Sequence, residues 1–122
     1  LDKLSTSVGY RIRPSWIWQY DKEGYQRIVL GLVNDGISGI PGALRVYLKN
    51  DQGTLNAGGS LDPGYPLPGK VRQVEIPLPK ETDWKGLKLY AGIEVKNTRY
   101  PVTWACREGL NEDGSLTLRK NI

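Results

Sequence analysis

Apolar and polar residues alternate along much of this chain with a period of two, which is the pattern of β-strands with one covered face. The alternation is cleanest over Leu87–Val95. There Leu87, Leu89, Ala91, Ile93 and Val95 share one side, and Lys88, Tyr90, Gly92 and Glu94 the other. Ala43–Lys49 repeats it, with Leu44, Val46 and Leu48 opposed to Arg45, Tyr47 and Lys49. Val71–Leu78 sets Val74, Ile76 and Leu78 against Gln73 and Glu75. The run Tyr25–Val33 is apolar on both parities and predicts a central strand covered on both faces. A strand over about Val8–Tyr20 precedes it, interrupted near Pro14, which lacks a ladder donor and so predicts an edge position or a bulge. Val102–Cys106 and a short run around Leu116 and Leu118 complete the predicted strands.

Between these runs lie residues with turn chemistry: Asn34-Asp35-Gly36, Asn50-Asp51-Gln52-Gly53 and Asn111-Glu112-Asp113-Gly114. Ile37–Gly42 is read as the passage from one sheet to another, and Asn97–Tyr100 as a loop. Gly59–Gly69, with three prolines and three glycines, is a shaped loop in which Tyr65 either stacks on a ligand or covers the end of the core. Seven or eight short strands with a turn signal about every ten residues predict an all-β fold: an antiparallel β-sandwich of immunoglobulin or fibronectin type III shape. A closed barrel is the alternative. Residues 1–8 read as a linker or lead-in and 9–122 as a single β-sandwich domain.

The stretch Ser15–Leu30 reads as a β-hairpin around Asp21-Lys22-Glu23-Gly24, and two of the four tryptophans lie on its first arm. Its register decides what those rings do, because a slip of one residue exchanges the two faces. If Gly24 forms a bulge after a type I turn, Trp18 lies across from Ile28 and Trp16 from Leu30, and both indoles enter the core. If Tyr20 pairs with Tyr25 across a four-residue loop, Trp16, Trp18, Tyr20, Tyr25 and Arg27 form an exposed aromatic strip. A small domain is expected to bury at least one of the two indoles, since a fully buried large apolar side chain contributes roughly 1.5–3 kcal/mol. Trp104 is a further candidate for the core. Trp84, in the loop after Asp83, is a candidate either for exposure or for capping the end of the sandwich.

Composition narrows the chemistry. The 122 residues contain no histidine and one cysteine, so no Ser-His-Asp or Cys-His arrangement and no internal disulfide can form. Cys106 reads as a small buried hydrophobe rather than a nucleophile. The carboxylates Asp21, Glu23, Asp51, Asp83, Glu112 and Asp113 fall in predicted turns. Only Glu75 and Glu94 sit on strands, which argues against the paired acids of a glycosidase. No metal-ligand spacing or phosphate loop is present, so no cofactor and no metal site is predicted and the chain is read as non-enzymatic. The formal charge of +4 is spread over scattered Lys and Arg, with no run longer than Arg119-Lys120, and implies no specific nucleic-acid partner. No long apolar run is present to span a membrane, and with neither Met nor a signal pattern the chain is expected to be a processed product or an excised piece. Four Trp and seven Tyr with no Phe make an aromatic set in which every ring carries a polar group, which suits sugar stacking at a wet surface and equally the edges of a small core.

The segments Val8-Gly9-Tyr10-Arg11-Ile12, Leu32-Val33-Asn34-Asp35-Gly36, Leu44-Arg45-Val46-Tyr47-Leu48 and Trp104-Ala105 with Asp113-Gly114-Ser115-Leu116 stand out together. They resemble the β-sandwich accessory domains found C-terminal to bacterial glycoside-hydrolase-like barrels. The resemblance implies a non-catalytic carbohydrate-binding or accessory module of an exported, extracellular or cell-surface bacterial protein. Its partners would be a polysaccharide or oligosaccharide and a catalytic domain in the same parent chain, with the module itself monomeric. The candidate carbohydrate-binding residues are Trp16, Trp18, Tyr20, Tyr25, Arg27 and Trp84. The alternative is a structural domain that packs on a barrel or partner protein without binding sugar.

Overall fold

The computed structural model describes residues 9–106 and 108–118; the expected lead-in over 1–8 and the Arg119-Lys120 pair lie outside the described residues. Eight strands follow in order: β1 Ile12–Lys22, β2 Tyr25–Asn34, β3 Ala43–Asn50, β4 Gly53–Ser60, β5 Val71–Pro79, β6 Lys88–Val95, β7 Thr98–Val102 and β8 Leu116–Thr117. They form two antiparallel sheets facing each other as a β-sandwich, one ordered β1-β2-β5 and one ordered β4-β3-β6-β7 with β8 also on β6. No described helix is long and apolar enough to cross a membrane.

The alternation read from the sequence sets which side chains fill the gap between the sheets. Ile28, Leu30, Leu32, Val74, Ile76 and Leu78 point inward from the first sheet, and Leu44, Val46, Leu48, Leu89, Ala91 and Ile93 from the second. Trp104 is 1% exposed in this core. Its indole N–H donates to the Leu89 carbonyl at 3.0 Å, so the ring is buried without stranding a donor. Ile37–Gly42 carries the chain from β2 in one sheet to β3 in the other, as expected.

Two buried amides hold the ends of β2. Asn34 accepts from the Arg11 and Gly36 amides and donates to the Ser38 and Pro66 carbonyls, knitting three segments together. Gln26 donates to the Lys80 carbonyl and accepts from Gln19 and Trp84. Polar atoms at these depths are tolerated because every lone pair and proton used has a partner.

Three local expectations are corrected. Residues 53–60 form β4, which their glycines and small side chains had hidden. The seventh strand runs over Thr98–Val102 rather than Val102–Cys106, its Pro101 being tolerated because β7 ends its sheet among the described residues. Cys106 is therefore half-buried at the margin of the core rather than on a strand; burial pushes its thiol up, with Arg13 opposing. Tyr65 is half-buried, with the Arg72 guanidinium 4.1 Å from its ring centre.

Candidate functional site

The hairpin register is neither of the two considered from sequence. Lys22 pairs with Tyr25 across a two-residue turn, and Glu23 and Gly24 both have positive φ, at 52° and 80°. This matches the double positive-φ requirement of a type I′ turn, whose twist suits antiparallel strands. Asp21 and Lys22 thus belong to β1, and the partners become Tyr20 with Arg27, Trp18 with Val29 and Trp16 with Gly31. That register has the face parity of the aromatic strip. The expectation that at least one indole would be buried is overturned: Trp16 is 41% and Trp18 62% exposed. A bulge between Pro14 and Trp16 precedes them, so Ile12 enters the core while Trp16 points out.

The strip lies on the outer face of the β1-β2-β5 sheet. Trp16 lies over Gly31, so closely that a Cβ there would overlap the indole. Glycine is required at that position by the ring above it. Trp18 and Tyr20 follow along β1 with ring centres 5.5 Å apart and planes tilted by 41°. Tyr25, 49% exposed, carries the Arg27 guanidinium 5.6 Å from its ring centre. Exposed apolar surface in one contiguous patch is what distinguishes an interaction site from scattered surface rings.

Strand order adds two residues that the hairpin alone does not reveal. β5 lies beside β2, with Gln73 opposite Gly31 and Glu75 opposite Val29. Together Trp16, Trp18, Tyr20, Val29, Gln73 and Glu75 line an open groove of about 550 Å³. The Tyr20 hydroxyl donates to Glu75 Oε1 at 2.6 Å across the sheet. That hydrogen bond raises the Tyr20 phenol above its ordinary range, with burial and the Glu75 charge adding and Arg27 opposing. Glu75 is the one carboxylate among these lining residues. Its place on the face opposite Val74 and Ile76 was legible from the β5 alternation, but its proximity to the tryptophans needed the sheet order.

Trp84 is not part of this surface. It packs half-buried against the core, and its indole N–H donates to Gln26 Oε1 at 2.9 Å. There it helps wall a separate hollow of about 440 Å³ with Ile17, Gln19, Ile28, Leu116 and Leu118. Of the two readings open for Trp84, exposure or capping the end of the sandwich, the structure shows a half-buried ring packed on the core: the loop before β6 delivers it to the inner side of the first sheet, where a buried amide satisfies its N–H. The structure therefore gathers Trp16, Trp18, Tyr20, Tyr25 and Arg27 on one face and leaves Trp84 out.

The outer groove joins flat ring surface to hydrogen-bonding groups at its rim. Gln73 supplies an amide and Glu75 an acceptor beside the indoles, a combination able to stack on an apolar face of a ligand while bonding hydroxyls at its edge. Among the described residues, no group of three or more His, Cys, Asp or Glu is arranged to hold a metal ion. No family model matches the chain, and neither the curated proteins nor the solved structures contain a match to it.

Proposed function

We propose that this chain is a non-catalytic carbohydrate-binding module that holds a polysaccharide or oligosaccharide against the outer face of β1, β2 and β5. The observation that carries the reading is the pair of exposed indoles, Trp16 and Trp18, in line with a half-buried Tyr20 and beside Gln73 and Glu75. Sugars present apolar C–H faces ringed by hydroxyls, and this surface offers the complementary pair of groups. Trp16 and Trp18 supply stacking area, Gln73 and Glu75 bond hydroxyls, and Tyr20 holds the Glu75 carboxylate in place. Tyr25 and Arg27 extend the row toward the turn. A non-catalytic role accords with a groove lined by a single carboxylate, since glycoside hydrolysis ordinarily uses two across one sugar.

The immunoglobulin- or fibronectin-like form of the sandwich is supported by β1-β2-β5 facing β3-β6-β7. In this reading the module belongs to an exported bacterial carbohydrate-active protein. Affinity electrophoresis and calorimetry against plant, fungal and bacterial polysaccharides test the proposal. Retardation by at least one glycan, abolished by Trp18→Ala with folding intact, is the expected result. Unchanged mobility with every glycan would reject it in favour of a structural module. The exposed indoles would then be covered by a neighbouring domain or protein.

A further inference from the structure

The second sheet carries an outer face of different chemistry, and we infer that it is a docking surface for an acidic polysaccharide. Register places Tyr47 of β3 directly opposite Tyr90 of β6, with Lys49 opposite Lys88 and Arg45 opposite Gly92. The two tyrosine rings stack, with centres 5.4 Å apart and planes within 13°. Lys49 Nζ sits 4.9 Å from the Tyr90 centre and 6.0 Å from that of Tyr47.

Arg99, from β7, reaches Tyr47 from the far side. Its guanidinium carbon is 5.3 Å from the ring centre, which places its stem across β6. Gly92 makes that crossing possible: a Cβ there would lie 3.0 Å from Arg99 Cγ and 3.2 Å from Cδ. A cation held over a ring keeps its charge outward while losing fewer conformations when a ligand arrives.

The charge balance on this face is positive. Arg45, Lys49, Lys88 and Arg99 face two carboxylates, Glu94 and Asp113. Glu94 bonds Arg45 at 3.1 Å, and Asp113 accepts from the Tyr90 hydroxyl at 3.1 Å. Lys49 and Arg99 are held by rings rather than by carboxylates in the contacts described. Arg45 and Lys49 are four residues apart on one strand, so the cationic row extends about 13 Å. An extended polyanion can lie along such a row.

The ring geometry selects among polyanions. Proteins that hold single-stranded nucleic acid stack bases on bare aromatic faces. Here Tyr47 and Tyr90 stack on each other, Arg99 lies over Tyr47 and Lys49 sits beside both rings, so much of the ring surface a base would need is already taken up. What the surface offers is positioned charge with tyrosine hydroxyls beside it, suited to the carboxylates and hydroxyls of a uronic-acid polymer. This inference does not depend on the aromatic face of the opposite sheet.

Binding of the full chain to polygalacturonate, neutral dextran and single-stranded DNA of matched charge, at about 50 and about 200 mM salt, tests it. Polygalacturonate should be bound, dextran should not be bound by this face, and affinity should fall on the order of tenfold with that rise in salt. The double variant K49Q/R99Q should weaken polygalacturonate binding about tenfold or more. Thermal unfolding of each variant separates loss of charge from loss of fold, and K49R, which keeps the charge, should retain binding. Absence of polygalacturonate binding, binding indifferent to K49Q/R99Q in a folded variant, or tighter binding of DNA than of polygalacturonate would each overturn the inference.

Discussion

Replacing Gly31 by alanine should show that the exposed tryptophan face is a built surface. The added methyl would occupy space filled by the Trp16 indole, so the ring must lift from β2. A tryptophan side chain buries roughly 150–250 Å² when fully covered. At 41% exposure somewhat more than half of the Trp16 surface is covered, about 90–150 Å², worth roughly 2–4 kcal/mol at ~25 cal/mol per Å². Tilting the ring forfeits half of that, about 1–2 kcal/mol. Alanine restricts the unfolded chain and returns about 0.4–1 kcal/mol. The net expectation is a loss of roughly 0–1.6 kcal/mol, measured by urea unfolding followed by circular dichroism.

The decisive comparison is the same change made in a Trp16→Ala background. With no indole to displace, Gly31→Ala should become neutral or stabilising by up to about 1 kcal/mol. The coupling between the two sites should then equal the forfeited ring burial, about 1–2 kcal/mol, within the range of contacting residues. Equal destabilisation in both backgrounds would refute the reasoning, because the glycine would then answer to a backbone requirement and not to the ring.

Three further outcomes follow from the same geometry. Trp18→Ala should cost less than about 1 kcal/mol because most of the ring is already in water, whereas Trp104→Ala should cost about 3–5 kcal/mol and strand the Leu89 carbonyl; thermal or urea unfolding distinguishes them. Gln26→Leu should destabilise by about 1–3 kcal/mol in the same assay, since Gln19, Trp84 and the Lys80 carbonyl all lose their partner. Asp113 is held below its ordinary carboxylate value of 3.8 by hydrogen bonds from the Ser115 side chain and backbone, with Tyr90 and Lys88 contributing. Its folded pKa being depressed, the stability it adds is present above that ordinary value and is lost as pH falls through the folded one. Asp113→Asn should accordingly flatten the acid limb of a stability-versus-pH curve, and an unaltered limb would contradict the assignment.

Both outer faces use one device. A glycine on a central strand, Gly31 or Gly92, leaves room for a long side chain from a neighbouring strand to lie across it. Neither glycine is conspicuous in the sequence. Each sits at an ordinary alternating position, and its reason becomes visible only when Trp16 or Arg99 is seen above it. Gly24 is different, because positive φ at a hairpin turn is a local demand and was readable from the flanking strands.

The period-two pattern by itself determined the all-β class, the inward set from Leu44 to Ile93 and the opposite placement of Gln73, Glu75, Tyr47 and Tyr90, because alternation is a property of each strand alone. It also brought the aromatic strip into view as one of two registers. What it left open was decided by geometry beyond the strand. The two-residue turn at Glu23 and Gly24 chose the register, since the twist of paired strands selects the turn and a one-residue change would have sent both indoles inward. β4 was hidden because Gly58 and Gly59 carry no side-chain pattern, and β7 because Pro101 is compatible with a strand only at an edge that the sequence does not mark. Trp84 could be read either as exposed or as capping the sandwich, and a buried glutamine on a distant strand, accepting its N–H, settled it half-buried against the core. The tertiary structure also set β5 beside β2 and β7 beside β6, completing a groove on one face and a cationic row on the other from residues that no local pattern connects.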